Sequence, residues 1–200
     1  MNIITINQGS KFPHYKVEKL AVEALHWIKG CRGVVCITDN ADHYNDVVTT
    51  VELPNEPYLK GWWSKLYLFS TIYDWPTLYL DIDVQVRDRV DHLAVEHGKI
   101  TAPQDYLARY HPHKNIEYIN SSIMSLWGDY TAIWEHYIEN WQQWQQKYRG
   151  DQEYLWGEHR DKISYLPDFY SESYKWSAKP KGWSDSQFIV YHGEDAKDEL

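Results

Sequence analysis

Cysteine is nearly absent from this chain of 200 residues, where Cys31 and Cys36 are the only two. Their spacing fits neither a zinc knuckle nor a disulfide framework, so a reducing cytoplasm is the expected compartment. No run approaches the ~20 apolar residues that a membrane-spanning helix needs. The start, Met1-Asn2-Ile3-Ile4-Thr5-Ile6-Asn7, lacks a basic region and reads as a first strand, not as a secretory leader. Positive charge is scarce, with 20 Lys and Arg against 29 Asp and Glu and a formal charge of −9. Naked nucleic acid and anionic membrane are therefore not expected as primary partners, and a phosphate-bearing substrate would need a cation or a local basic group. Internal repeats, low-complexity tracts and a domain linker are missing too, which points to one domain over 1–200 with a single sizeable core. The final Lys197-Asp198-Glu199-Leu200 has the form of an endoplasmic-reticulum retrieval signal, and Asn120-Ser121-Ser122 that of a glycosylation sequon. Both matter only in a secretory compartment and are read as coincidence.

What the chain does have is a strand-forming apolar run that stops at two carboxylates: Thr77-Leu78-Tyr79-Leu80-Asp81-Ile82-Asp83-Val84. Side chains two apart on a strand share a face, so Asp81 and Asp83 are expected to project together from the carboxyl end of a buried strand. Open α/β sheets place their ligands there. Two such carboxylates call for a hard divalent cation, Mg²⁺ or Mn²⁺, which keeps positions open for substrate phosphate.

The surrounding pattern predicts a strand over Ile3 to Ile6, a helix carrying Val17, Leu20, Ala24 and Ile28 up to Gly30, a strand over Gly33 to Thr38 and another over Val47 to Val51. This alternation argues for an α/β fold with a mostly parallel sheet flanked by helices. Gly61 to Tyr73 reads as a helix with Lys65 inside an apolar stripe. Arg87 to His97 reads as a short helix, Lys99 to Pro103 as a strand, and Gln104 to Glu117 as a surface loop. A strand with a polar break over Tyr118 to Trp127 precedes one long aromatic helix over Tyr130 to Tyr148. Asp151 opens a further helix to about His159, where it is in N-cap position. Ile163 to Leu166 reads as a strand, Pro167 to Trp183 as loop, and Gln187 to Tyr191 as the last strand. The 11 Trp and 17 Tyr against 4 Phe favour rings with a polar handle, which fill cores and also suit sugar recognition.

Five segments in order, Gly61-Trp62-Trp63-Ser64-Lys65-Leu66-Tyr67-Leu68-Phe69, Leu78 to Asp83, Asn120-Ser121-Ser122-Ile123-Met124, Asp151-Gln152-Glu153-Tyr154-Leu155 and Val190-Tyr191-His192-Gly193, together resemble the small nucleotide-sugar glycosyltransferases of the GT-A fold. The likeness is to the glycogenin and bacterial galactosyltransferase group and its compact bacterial and phage relatives. It implies a Rossmann-like mixed sheet and transfer of a hexose, glucose or galactose, from a UDP-sugar to an unread acceptor hydroxyl, with retention. It further implies that Asp81, Asp83 and His192 bind Mn²⁺ or Mg²⁺ on the donor diphosphate, with Lys65 assisting at the phosphates. Thr5, Asn7, Tyr15 and Asp39 would hold base and ribose. Ile82, Asn120 and Ser121 would contact the rest of the donor, and Asp151 or Gln152 would stand at the anomeric carbon.

Two departures from that family stand out: Ser122 occupies a position often held by glycine, and Lys197, followed by Asp198, falls one position late for the phosphate-contacting lysine. One rival reading is a phosphatase of the haloacid dehalogenase type, although Gln85 and Leu155 stand where it wants Thr or Val and an acid. A second rival is a non-catalytic carbohydrate-binding domain in which the Asp pair holds a structural ion.

Overall fold

A computed structural model of the chain describes residues 1–41, 44–93, 95–114 and 118–192. Gly193, Lys197, Asp198 and the rest of the terminal tetrapeptide lie outside the described residues, as do 115–117 of the expected surface loop. The order opens with β1 (Asn2–Asn7), α1 (His14–Trp27), β2 (Val34–Thr38) and β3 (Val48–Glu52), the expected alternation. A 3₁₀ helix (Gly61–Ser70) leads into β4 (Ile72–Leu80), β5 (Val84–Val86), β6 (Ile100–Ala102), α2 (Tyr106–Tyr110) and β7 (Ile123–Asp129). Then come α3 (Thr131–Glu139), α4 (Trp141–Lys147), α5 (Asp151–Glu158), β8 (Ile163–Tyr165), β9 (Ser171–Ser173) and β10 (Phe188–Val190).

Seven strands form one sheet in the order β3-β2-β1-β4-β7-β6-β8. Only β7 runs against its neighbours, so the sheet is mixed and mostly parallel. A smaller sheet, β5-β10-β9, stands beside it. Strand alternation divides the core in two. Ile3, Leu78, Leu80 and Ile123 face α1 and the small sheet. Ile6, Tyr79, Met124 and Leu126 face the 3₁₀ helix and α3 to α5. In the 3₁₀ helix, buried Trp63, Leu66 and Phe69 recur every third residue, the period of that helix and not of the α-helix expected there.

Four other expectations are corrected. Arg87 to His97 is not helical over its described residues: Asp88 and Asp91 bind Arg89 locally, and Val90 forms a bridge with Ile28 at the end of α1. The loop expected over Gln104 to Glu117 contains α2, nucleated by Asp105, whose Oδ1 accepts from Leu107 N at 2.9 Å. The long aromatic helix breaks at Asn140 into α3 and α4, which lets the Trp144 indole N–H reach the His136 carbonyl at 3.0 Å. The segment Pro167 to Trp183 contributes β9, whose Ser171, Glu172 and Ser173 are buried yet polar and so give no apolar pattern.

Within the α3 to α5 layer, Tyr154 is buried between His136 and His159, its hydroxyl 3.0 and 3.1 Å from their ring nitrogens. Burial, and then the neighbouring His136, pull the His159 imidazole down to about 4 from its ordinary 6.5. A depressed folded-state value stabilises the fold above 6.5, and this contribution is lost as pH falls towards 4. Thermal unfolding between these limits is expected to show a falling Tm for the wild type and a flatter profile for His159→Gln. Parallel profiles would contradict the assignment.

Candidate functional site

Asp81, Asn7 and Asp39 lie at the carboxyl ends of β4, β1 and β2, three adjacent parallel strands. The Asp pair does not continue the strand, contrary to what its spacing predicts. The Asp83 side of the segment turns away from the large sheet: Val84 N–H donates to Asp81 O at 3.1 Å and β5 begins the small sheet. Asp81 still extends the line of β4, because its N–H donates to Ser122 O at 2.8 Å. It thus shares the face of Tyr79, whose hydroxyl donates to Asp81 Oδ1 at 2.5 Å.

Lys65 meets this carboxylate from the 3₁₀ helix. Its Nζ is 2.8 Å from Asp81 Oδ2 and 3.1 Å from Ser121 Oγ, and the side chains of Lys65 and Asp81 are only 12% and 19% exposed. Burial opposes the ammonium charge, but Asp81, then Asp151 and Asp83, outweigh it and raise the group above its ordinary range. Burial, and then Asp81, push the Tyr79 phenol in the same direction, keeping it a neutral donor. Asp151, buried at the first turn of α5, has its carboxyl raised by desolvation against the opposing pull of Lys65 and Ser121. Its Oδ2 meets no hydrogen-bond partner among the described residues. Asp151 is the first helical residue and not the N-cap, a position held by Gly150. Gln152 is oriented by Asp105, to which its amide donates at 3.3 Å.

Asn120 shapes the neighbouring turn: its Oδ1 accepts from Ser122 N at 3.0 Å, which presents Ser121 to Lys65. On the β1 side, Asn7 spends its amide on Phe12 O at 3.2 Å and Tyr44 OH at 2.9 Å, while its Oδ1 and Thr5 Oγ1 are buried without a hydrogen-bond partner among the described residues. Asp39 accepts from Gly9 N at 2.9 Å. Tyr15 stands in the first turn of α1, 61% exposed. The Ile82 side chain is buried in the α1-side core, so only its main chain is available to a ligand. His192 stacks on Tyr106 at 5.7 Å and its Nε2 lies 2.6 Å from Ser173 Oγ. Its chain neighbour Tyr191 donates to Asp83 O at 2.8 Å, which ties the end of β10 to the Asp turn.

Among the described residues, no three His, Cys, Asp or Glu side chains stand together as a ready metal site. The donor chemistry nevertheless fits a hard cation. Each Asp81 oxygen has one donor from Tyr79 or Lys65 and keeps a further lone pair, and Asp83 adds a second carboxylate close enough to act on Lys65.

The sequence reading missed Tyr79, Asp105, Tyr44 and Gln8. Tyr79 was legible, since it lies two residues before Asp81 on the strand, and Asp105 had the form of an N-cap. Gln8, which accepts from Gly61 N at 3.0 Å, and Tyr44 act across distances in the chain that leave no local pattern.

Two stability predictions follow from these charges. Asp81→Ala leaves a nearly buried ammonium short of its main partner and should cost about 3 kcal/mol in urea unfolding. A cost below about 0.5 kcal/mol, the level of a surface pair, would contradict it. For Asp151 the folded value lies above the ordinary 3.8, so its ionised form lowers stability as pH rises through that folded value. In chelator, Asp151→Asn should melt above the wild type at pH 7, with the gap closing towards pH 3.8. An equal gap at both ends would rule out the charge as its cause.

No family model matches the chain, and no curated protein matches its sequence. Among solved structures, it is similar to the glycosyltransferase GlyE of Streptococcus pneumoniae TIGR4, with a TM-score of 0.66 and 12% identity over 97% of this chain and 55% of that one. The chain thus spans about half the length of GlyE. The galactosyltransferase LgtC, in complex with donor and acceptor sugar analogues, gives a TM-score of 0.62 and 14% identity over 97% of this chain and 88% of that one. At such identities the likeness is one of fold: from β1 to β10 the chain has the GT-A-like architecture of these small glycosyltransferases.

Proposed function

We propose that this protein is a glycosyltransferase that moves a hexose, glucose or galactose, from a UDP-sugar to a hydroxyl acceptor with retention of configuration. The observation that carries this reading is the cluster of Lys65, Asp81, Ser121 and buried Asp151 at the carboxyl end of the sheet, in a fold shared with sugar-transferring enzymes. This chain spans about half the length of GlyE, so the activity of that protein as a whole is not carried over.

In this reading Asp81 and Asp83 hold Mn²⁺ or Mg²⁺, with His192 as a further ligand. When bound, such an ion supplies Lewis-acid stabilisation to a leaving diphosphate. Lys65 lies preorganised beside the same group, and its charge opposes the negative charge that grows as the glycosidic bond breaks. Thr5 and Asn7 offer buried acceptors to the base, with the N3–H of uracil assigned to Asn7 Oδ1, and Asp39 accepts from the ribose. Tyr15, Ile82 through its main chain, and Asn120 complete the donor contacts. Asp151 is the group assigned to stabilise positive charge developing at the anomeric carbon. Gln152 is held by Asp105 and is a poor nucleophile, which favours a front-face reaction in which the departing phosphate oxygen takes the acceptor proton.

The test is release of free UDP from UDP-glucose and UDP-galactose, together with thermal shift. UDP with Mn²⁺ should raise Tm in proportion to the logarithm of ligand concentration over Kd. Turnover should vanish in chelator and in Asp83→Asn. Full turnover in chelator, or stronger stabilisation by a purine nucleotide, would overturn the metal or the base assignment respectively. Release of inorganic phosphate instead would favour the phosphatase reading, and sugar binding without any turnover the binding-domain reading.

A further inference from the structure

Trp62 is 63% exposed, although Trp63 beside it is buried in the core. Its indole packs against Gly150, where a Cβ would stand 3.4 Å from the ring. Gly150 immediately precedes Asp151 and Gln152, so the exposed ring packs on the residue that leads into the proposed sugar site. Three residues make one turn of a 3₁₀ helix, which sets Trp62 and Lys65 on the same side of theirs.

The ring is held there by its backbone. Gly61 takes φ +60, a conformation that suits glycine, and its N–H donates to Gln8 Oε1 at 3.0 Å. Gln8 in turn donates to Leu59 O, so the start of the 3₁₀ helix is tied to the loop after β1. Beyond Gly150 the rim is polar: exposed Arg149 pairs with Glu153, and its main-chain N–H donates to the same carboxylate at 3.0 Å. An exposed aromatic face with an exposed arginine one residue beyond the glycine it packs on suits a ligand that is apolar on one face and rich in hydroxyls at its edge.

We propose that Trp62 is the acceptor platform: a neutral pyranose lies with its C–H face on the indole while its hydroxyls meet Arg149 and Glu153. This rests on the glycosyltransferase reading and names the acceptor class, a terminal sugar, for that same site. The carboxylates of Asp81, Asp83 and Asp151, which act on Lys65 one turn of the 3₁₀ helix from Trp62, disfavour an anionic acceptor.

The experiment is saturation-transfer NMR on the full chain with UDP and Mn²⁺, using methyl and octyl β-D-galactopyranoside and β-D-glucopyranoside as probes. Parallel UDP thermal shifts are recorded on every variant. In the wild type, saturation should concentrate on the protons of one pyranose face, fall about fivefold in Trp62→Ala and be partly kept in Trp62→Phe. Trp75→Ala, which removes another exposed indole, should match the wild type. UDP binding without pyranose saturation, equal saturation in Trp62→Ala, or saturation confined to the octyl chain would each overturn the platform and leave the transferase reading standing. Pyranose saturation lost in Trp62→Ala, in a protein that does not bind UDP, would keep the platform and sink the transferase reading. Because the ring is exposed, Trp62→Ala should melt with the wild type; if it does not, the Trp62→Phe result decides.

Discussion

A single ammonium group reconciles three carboxylates that would otherwise repel one another. Asp81 comes from the end of β4, Asp83 from the turn that follows, and Asp151 from the start of α5, and all three act on Lys65. Two like unit charges about 4 Å apart repel by about 4 kcal/mol at an effective dielectric of ~20, and the Lys65 ammonium offsets repulsion of this kind where the three elements converge. The same balance explains why the cluster is poised for more positive charge. One cation shared among three acids leaves net negative charge at the point where a phosphate-bearing ligand would bring its own counterion.

The rest of the fold serves to deliver those groups. Period-two alternation in β4 sends Leu78 and Leu80 to one layer and Tyr79 to the other, so Asp81 emerges on the side of the 3₁₀ helix. The step from the large sheet to the small one occurs at the Asp turn, where Tyr191 from the end of β10 bonds Asp83 O. Both sheets and both core layers therefore meet at this short segment. Asn120 fixes the turn on the other side, just ahead of β7, and this turn gives Ser121 to Lys65.

Much of this was legible in the sequence, for reasons that vary by element. The central part of β1, all of β2 but its last residue, the Leu78 to Leu80 end of β4 and the short β10 are mostly buried apolar runs, and a strand covered on both faces has to be so. The convergence of Lys65, Asp81 and Asp151 was reached through family resemblance, since residues 65, 81 and 151 share no local period. Three failures have a common origin: β9, α2 and the break at Asn140 are set by hydrogen bonds to polar groups, and apolar patterning does not record those. The 3₁₀ helix is a subtler case. Its buried positions at 63, 66 and 69 fit period three and nearly fit 3.6, so composition alone cannot separate the two over ten residues.

The two sides of the site differ in how they hold polar groups. On one side, Thr5 Oγ1 and Asn7 Oδ1 from β1 and Asp151 Oδ2 from the start of α5 are buried without a hydrogen-bond partner among the described residues. Each such group costs about 1–3 kcal/mol until a donor reaches it. A ligand bringing N–H and O–H groups recovers part of that cost, so binding energy is concentrated where the nucleotide would lie. On the other side Trp62 and Arg149 are already solvated and gain little from a new partner, and Glu153 is held by Arg149. In the transferase reading proposed above, a site built in this way would hold its donor firmly and touch its acceptor lightly.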